Sequence, residues 1–128
     1  MEHFNAPGLS DPPGYSHAAV SSGGRLVTTA GAVPLDADGN LVGRGDYAKQ
    51  TSQVLDNLAL ALQAAGARGE DVLKTTVYVV TEDRADLSEV WRVVQESEVA
   101  AAASTRLGVS LLGYEGQLVE VEAIAVTG

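Results

Sequence analysis

The stretch from Gln117 to Val126, QLVEVEAIAV, constrains this chain most. Its alternation has a period of two, which marks a β-strand with two different faces. The odd residues Val119, Val121, Ala123 and Ala125 are small or apolar and suit packing under helices. The even residues Leu118, Glu120, Glu122, Ile124 and Val126 mix large apolar groups with two carboxylates. That second face is too apolar to stand wholly in water and too charged for a monomer core. Burial against another subunit resolves the conflict.

The rest of the chain supplies the partners of this strand. Residues 1–15 are rich in Pro and Gly and read as an irregular lead-in. His17–Ser22 and Arg25–Gly31 flank Gly23-Gly24, a pattern that predicts a β-hairpin with a two-residue turn. After a loop at 34–45, Asp46 is a helix N-cap, and Val54, Leu55, Leu58, Ala61, Leu62 and Ala65 form one apolar stripe. Gly66 stops that helix. Val72–Val80 is β-branched and reads as a strand, with Leu73, Thr75, Val77 and Val79 on one side. Asp83 or Asp86 caps a second helix with the stripe Leu87, Val90, Trp91 and Val94. Residues 98–104 read equally as helix extension or loop, and Thr105–Leu112 reads as a strand before the turn at 113–116. The order is β-β-α-β-α-β-β. It predicts one α+β domain over residues 1–128, a single mixed sheet with both helices on one face.

Composition excludes several classes of function. The chain has 128 residues, no cysteine and a formal charge of −9 from 8 Lys+Arg and 17 Asp+Glu. Thiolate chemistry, disulfides and cysteine zinc sites are excluded. No basic stripe exists, so neither nucleic acid nor an anionic membrane is an expected partner. The two histidines have no carboxylate cluster at ligand spacing, and no glycine-rich loop precedes a helix, so neither a metal nor a nucleotide cofactor is indicated. The start Met1-Glu2-His3-Phe4 lacks the basic head and apolar run of a signal peptide. A cytoplasmic location is the expectation.

Five stretches then carry a resemblance: Gly14-Tyr15-Ser16, Thr29 to Pro34 (TAGAVP), Gln53 to Leu58 (QVLDNL), Lys74 to Val79 (KTTVYV) and Leu118 to Val126. Together, in this order, they resemble the Rid (reactive intermediate deaminase, YjgF-like) family over nearly the whole chain. The resemblance implies a chorismate-mutase-like fold assembled as a homotrimer with clefts between subunits. It also implies cofactor-free hydrolysis of enamines and imines to keto acids and ammonia. In that family an arginine on the penultimate strand grips the substrate carboxylate, a glutamate on the last strand orients water, and a tyrosine closes the cleft. Carried over, Glu120 matches the glutamate, Tyr15 the tyrosine and Gly31 the glycine after the second strand, preceded by Ala30. Aligning Leu107 and Val109 with the family's apolar strand positions puts Ser104 at the arginine. Aligning backward from Glu120 puts Thr105 there. Neither register puts Arg106 there, so the chain resembles an arginine-lacking branch.

Arg106 shares a strand face with Ser104, about 7 Å further along, so it returns a guanidinium to the cleft if Ser104 faces it. The other role open to Arg106 is an interface ion pair with Glu122. Glu120 reads either as the proton acceptor or as an interface charge, Trp91 as core, and His17 as a surface residue or an acid–base group. Three functions fit: a hydrolytic deaminase of a small imine or enamine, a ligand-binding or regulatory trimer that kept the cleft without the chemistry, and a specialised biosynthetic or catabolic enzyme.

Overall fold

A computed structural model describes residues 1–128. Three short strands come first: β1 (Glu2–Phe4), β2 (Ala18–Val20) and β3 (Arg25–Thr28). They are followed by α1 (Tyr47–Ala64), β4 (Val72–Val80), α2 (Arg84–Gln95), β5 (Ala103–Val109) and β6 (Val119–Thr127). Four strands form a mixed sheet in the order β3-β6-β4-β5. β6 runs antiparallel to both neighbours, and β4 pairs in parallel with β5, so α2 serves as the crossover between them. No helix is long and apolar enough to cross a membrane.

Both helix starts follow from their caps. The Asp46 carboxylate accepts from Lys49 N at 3.0 Å, and the Asp83 carboxylate accepts from Ala85 N at 2.9 Å. The helices cover one face of the sheet. Val54, Leu58 and Leu62 of α1 and Val90, Trp91 and Val94 of α2 are buried against Val77, Val79, Val119, Val121, Ala123 and Ala125. The α1 stripe differs from its apolar pattern: Ala61 is exposed, while Gln50 and Thr51 are fully buried. Gln50 is satisfied by three hydrogen bonds. Its amide donates to Gly43 O (3.1 Å) and Gly116 O (3.0 Å), and its carbonyl accepts from Leu118 N (2.7 Å). A register shift between Val72 and Lys74 likewise puts Val72, not Leu73, into the core.

The hairpin expected around Gly23-Gly24 does not form. β2 pairs with β1, matching Glu2 with Val20 and Phe4 with Ala18, while β3 pairs only with β6. The reason is local. Gly23 and Gly24 adopt φ of 144° and 122°, far from the about +60° and +90° of the reversing type I′ turn. The chain runs on through the two glycines, and the outer edge of β3 stays unpaired. The lead-in is therefore not irregular throughout. It folds into a ribbon held by Ala6 N donating to His17 Nδ1 at 2.9 Å, and by Ser16 Oγ donating to Ala101 O at 2.6 Å. The ambiguous segment before β5 is a set of turns, and β5 begins at Ala103 and ends at Val109.

Candidate functional site

The face of the sheet away from the helices is open. Across it β6 sets Glu120 opposite Tyr78 and Glu122 opposite Thr76, and β5 sets Thr105 beside Thr76. Glu120 is half-buried and held from two sides. Gln117, itself buried, donates from Nε2 to Glu120 Oε1 at 3.0 Å and to Val119 O at 3.1 Å. The Gln117 carbonyl in turn accepts from Tyr114 N at 3.1 Å, which fixes the amide's orientation. The second wall is Gly31, where any Cβ would overlap the Glu120 carboxylate. Only glycine allows this approach.

A bulge delivers Gly31 to that place. Thr28 pairs with Ile124 and Ala32 bridges Val121, so three residues of the incoming segment face two of β6. Ala30 and Gly31 lie in that bulge, and Ala30 is exposed. The segment is clamped from behind by Asn57 of α1, whose amide donates to Val33 O (2.7 Å) and Leu35 O (2.8 Å). Glu120 thus keeps lone pairs free toward the open face while its position is set by Gln117 and the bulge. Beside it the Tyr78 hydroxyl donates to Glu122 Oε1. That hydrogen bond, followed by burial, raises the Tyr78 pKa above the ordinary tyrosine value. Lys74 is the one cation on this face of the four strands, and its Nζ donates to Thr105 Oγ1 at 2.7 Å.

The remaining predicted residues gather elsewhere. β5 pairs Ser104 with Thr75 and Arg106 with Val77, both of which point under the helices. Ser104 and Arg106 therefore share a face, as their alternation requires, but within the chain it is not the face of Glu120. The placement of Arg106 on the adjacent strand near Glu120 is corrected by this register: a one-residue step moves a side chain to the opposite side of a sheet. Within the single chain Arg106 takes part in neither of the two ion pairs. Tyr15 joins Ser104 and Arg106, with its ring edge-on to Trp91 at 5.9 Å. Trp91 is core, with 6% exposure, yet one side of its indole forms a wall of this second cleft. His17 lies nearby, its Nδ1 occupied by Ala6 N.

The sequence reading missed Gln117, Asn57 and Gln50. A single amide carries no periodic signal, although an amide three residues before a carboxylate at a strand start is a pairing to look for. No group of three or more His, Cys, Asp or Glu side chains converges as a metal site would.

Comparison with known proteins agrees with this architecture. A RutC family protein of Pyrococcus horikoshii is 38% identical over 123 residues, 94% of this chain and 91% of that protein. The mouse 2-iminobutanoate/2-iminopropanoate deaminase is 31% identical over 124 residues, covering 96% and 87% of the two chains. The crystal structure of the Rid family protein YyfB of Yersinia pestis superposes with a TM-score of 0.91 at 35% identity, over 98% of each chain. Residues 9–127 match the family described as Endoribonuclease L-PSP, and the chain belongs to this family, that of the RutC and Rid proteins.

Proposed function

We propose that this chain is a hydrolytic deaminase of imines or enamines, working in the cytoplasm as a homotrimer whose clefts include Glu120. One observation carries this reading. Glu120 is oriented by a buried amide and a glycine wall, with free lone pairs on an open face. Water attack on an imine carbon needs orientation and one group to move a proton. Glu120 takes the proton from water as oxygen bonds to carbon. It gives that proton to the nitrogen, forming a carbinolamine, and then relays the proton of the new hydroxyl to the same nitrogen as the C–N bond breaks, so that a carbonyl compound and ammonia leave and the carboxylate is restored. No cofactor enters this balance. A relative that bears the name of an iminobutanoate deaminase supports the reading.

The substrate class follows from the cations on this face. On the same face β5 presents Thr105 and Leu107, not an arginine, with Thr76 and Tyr78 of β4 between them and the carboxylates. Lys74 is a point charge already engaged with Thr105 and has no fork to clamp a carboxylate. Imines without a carboxylate are therefore the better substrates, and 2-imino acids are turned over weakly, as suits an arginine-lacking branch. Tyr15, Ser104 and Arg106 lie off this face in the single chain and take no part in the proton transfer. Despite the family's name, ribonuclease activity is disfavoured, because each of three copies would carry a charge of −9.

The missing arginine also favours a second reading, a trimer that binds a small ligand without turning it over. Imines generated in place by amine and amino-acid oxidases separate the two. Carbonyl release should accelerate most for amine-derived imines, and Glu120→Gln should lower the rate ~100-fold or more. Absence of acceleration across a broad panel selects the ligand-binding reading.

A further inference from the structure

Gln50 is a long polar side chain in the first turn of α1, and it has no exposed surface. A buried amide needs partners for its donors and its acceptor. Its nitrogen donates to Gly43 O at 3.1 Å and to Gly116 O at 3.0 Å, and its oxygen accepts from Leu118 N at 2.7 Å. The reverse orientation would set an oxygen against two carbonyls, so the amide has one way to lie. Gly43 O also accepts from Asp46 N at 2.9 Å, so the first contact is duplicated. The other two are not.

Gly116 O and Leu118 N belong to the two peptide groups on either side of Gln117. Gln50 therefore spans Gln117 much as a paired strand would, just before β6 begins at Val119. Gln117 is built the same way. Itself buried, it donates to Glu120 Oε1 at 3.0 Å and to Val119 O at 3.1 Å, and it accepts from Tyr114 N at 3.1 Å. Two buried amides thus stand in series between α1 and the carboxylate. The first holds the backbone of the second, and the second holds Glu120. Because α1 lies on the covered side of the sheet and Glu120 on the open side, Gln50 reaches the carboxylate without touching it.

We propose that Gln50 is a positioning residue for Glu120, acting from α1 through Gln117. A fully satisfied buried network is stiff, because each orientation is set by the one before it. A carboxylate that meets water and then an imine nitrogen needs its direction held closely, and support from behind is what holds it. The part of Gln50 in turnover rests on the deaminase reading. Its hold on the Glu120 carboxylate does not, and the two are measured separately.

Gln50→Met keeps the length of the side chain and removes its amide. Gln50→Asn keeps the amide one methylene short, and it serves if the first variant does not fold. Leu62→Ala, further along α1 and buried in the core, is the control for lost stability alone. In the isotopically labelled, assembled protein, NMR reads the exchange of the Gln117 side-chain amide protons and the resonance of the Glu120 carboxyl carbon. Gln50→Met should speed that exchange ~10-fold and move the Glu120 resonance toward its position in Gln117→Met, with Gln50→Asn between. Leu62→Ala should leave both in place. In turnover, Gln50→Met should lower kcat ~10- to 100-fold, the range of a lost hydrogen bond to a charged group, with little change in KM. Combined with Gln117→Met it should add nothing, because both act on one carboxylate. The proposal is overturned by unmoved Gln117 and Glu120 signals in a folded Gln50 variant, by the same movement in Leu62→Ala, or by additive losses in the double variant. A rate that Glu120→Gln fails to lower would sink the deaminase reading instead, and the two resonances would still decide the role of Gln50.

Discussion

On the helix-covered side of the sheet, Val77, Val79, Val119, Val121 and Ala125 have no exposed surface. One residue away along the same strands, Ile124 is 40% exposed, and on the β3 edge Leu26 is 70% exposed. The buried strand residues of the covered face are valines and alanines, with Thr75 among them. The open face alternates aliphatic groups with Glu120, Glu122 and Lys74. Both faces belong to the same four strands, so propensity cannot separate them. What separates them is a partner. The helices supply one for the covered face, and nothing in the single chain supplies one for the other. Stability is concentrated where burial is complete, and the groups with chemistry sit where it is not.

The largest expected effect sets one face against the other. Val121→Asp places an unpaired carboxylate under the helices, a cost of several kcal/mol against a total stability of roughly 5–15 kcal/mol. It should abolish the native circular dichroism spectrum. Ile124→Asp, three residues on and facing out, should leave the secondary structure intact and affect association instead. Equal loss of structure in the two variants would break the comparison.

Gln50→Leu should come next. It leaves Leu118 N and Gly116 O without their partner, while Gly43 O keeps the Asp46 N–H at 2.9 Å. At about 1–3 kcal/mol for an unsatisfied buried group, a loss of ~2–5 kcal/mol in urea unfolding is expected. Gln117→Leu should cost less stability while lowering any Glu120-dependent turnover, because it removes the donor that orients the carboxylate.

The smallest effect belongs to Tyr78. Its hydrogen bond to Glu122 stabilises the neutral phenol and raises its pKa. That contribution is complete below the ordinary tyrosine value of about 10 and is lost as pH rises through the higher folded value. Tyr78→Phe should cost about 1 kcal/mol at neutral pH. The gap between variant and wild type in urea midpoint should close as the solution becomes strongly alkaline. A gap that stays constant would mean the hydrogen bond contributes nothing.

Much of the fold was legible because its signals are periodic. The stripes Val54-Leu58-Leu62 and Val90-Trp91-Val94, the two caps and the two-faced β6 all follow from spacing. The N-terminal ribbon was not, because the Gly23-Gly24 pair suits a hairpin equally well and the choice of β1 as partner is a tertiary matter. The site was legible in pieces. Glu120 and Gly31 meet, which their separate positions allowed but did not require. Which face Arg106 takes depends on the phase of β5 against β4, and alternation within β5 leaves that phase open. Register decided it by pairing Arg106 with Val77.

The central claim is that the open face is completed by further copies of the chain. The mass of the protein in solution at micromolar concentration, by light scattering, tests it most directly. The account predicts three times the 13.2 kDa of one chain, falling to a single chain in Ile124→Asp. A wild-type mass of 13.2 kDa would contradict it.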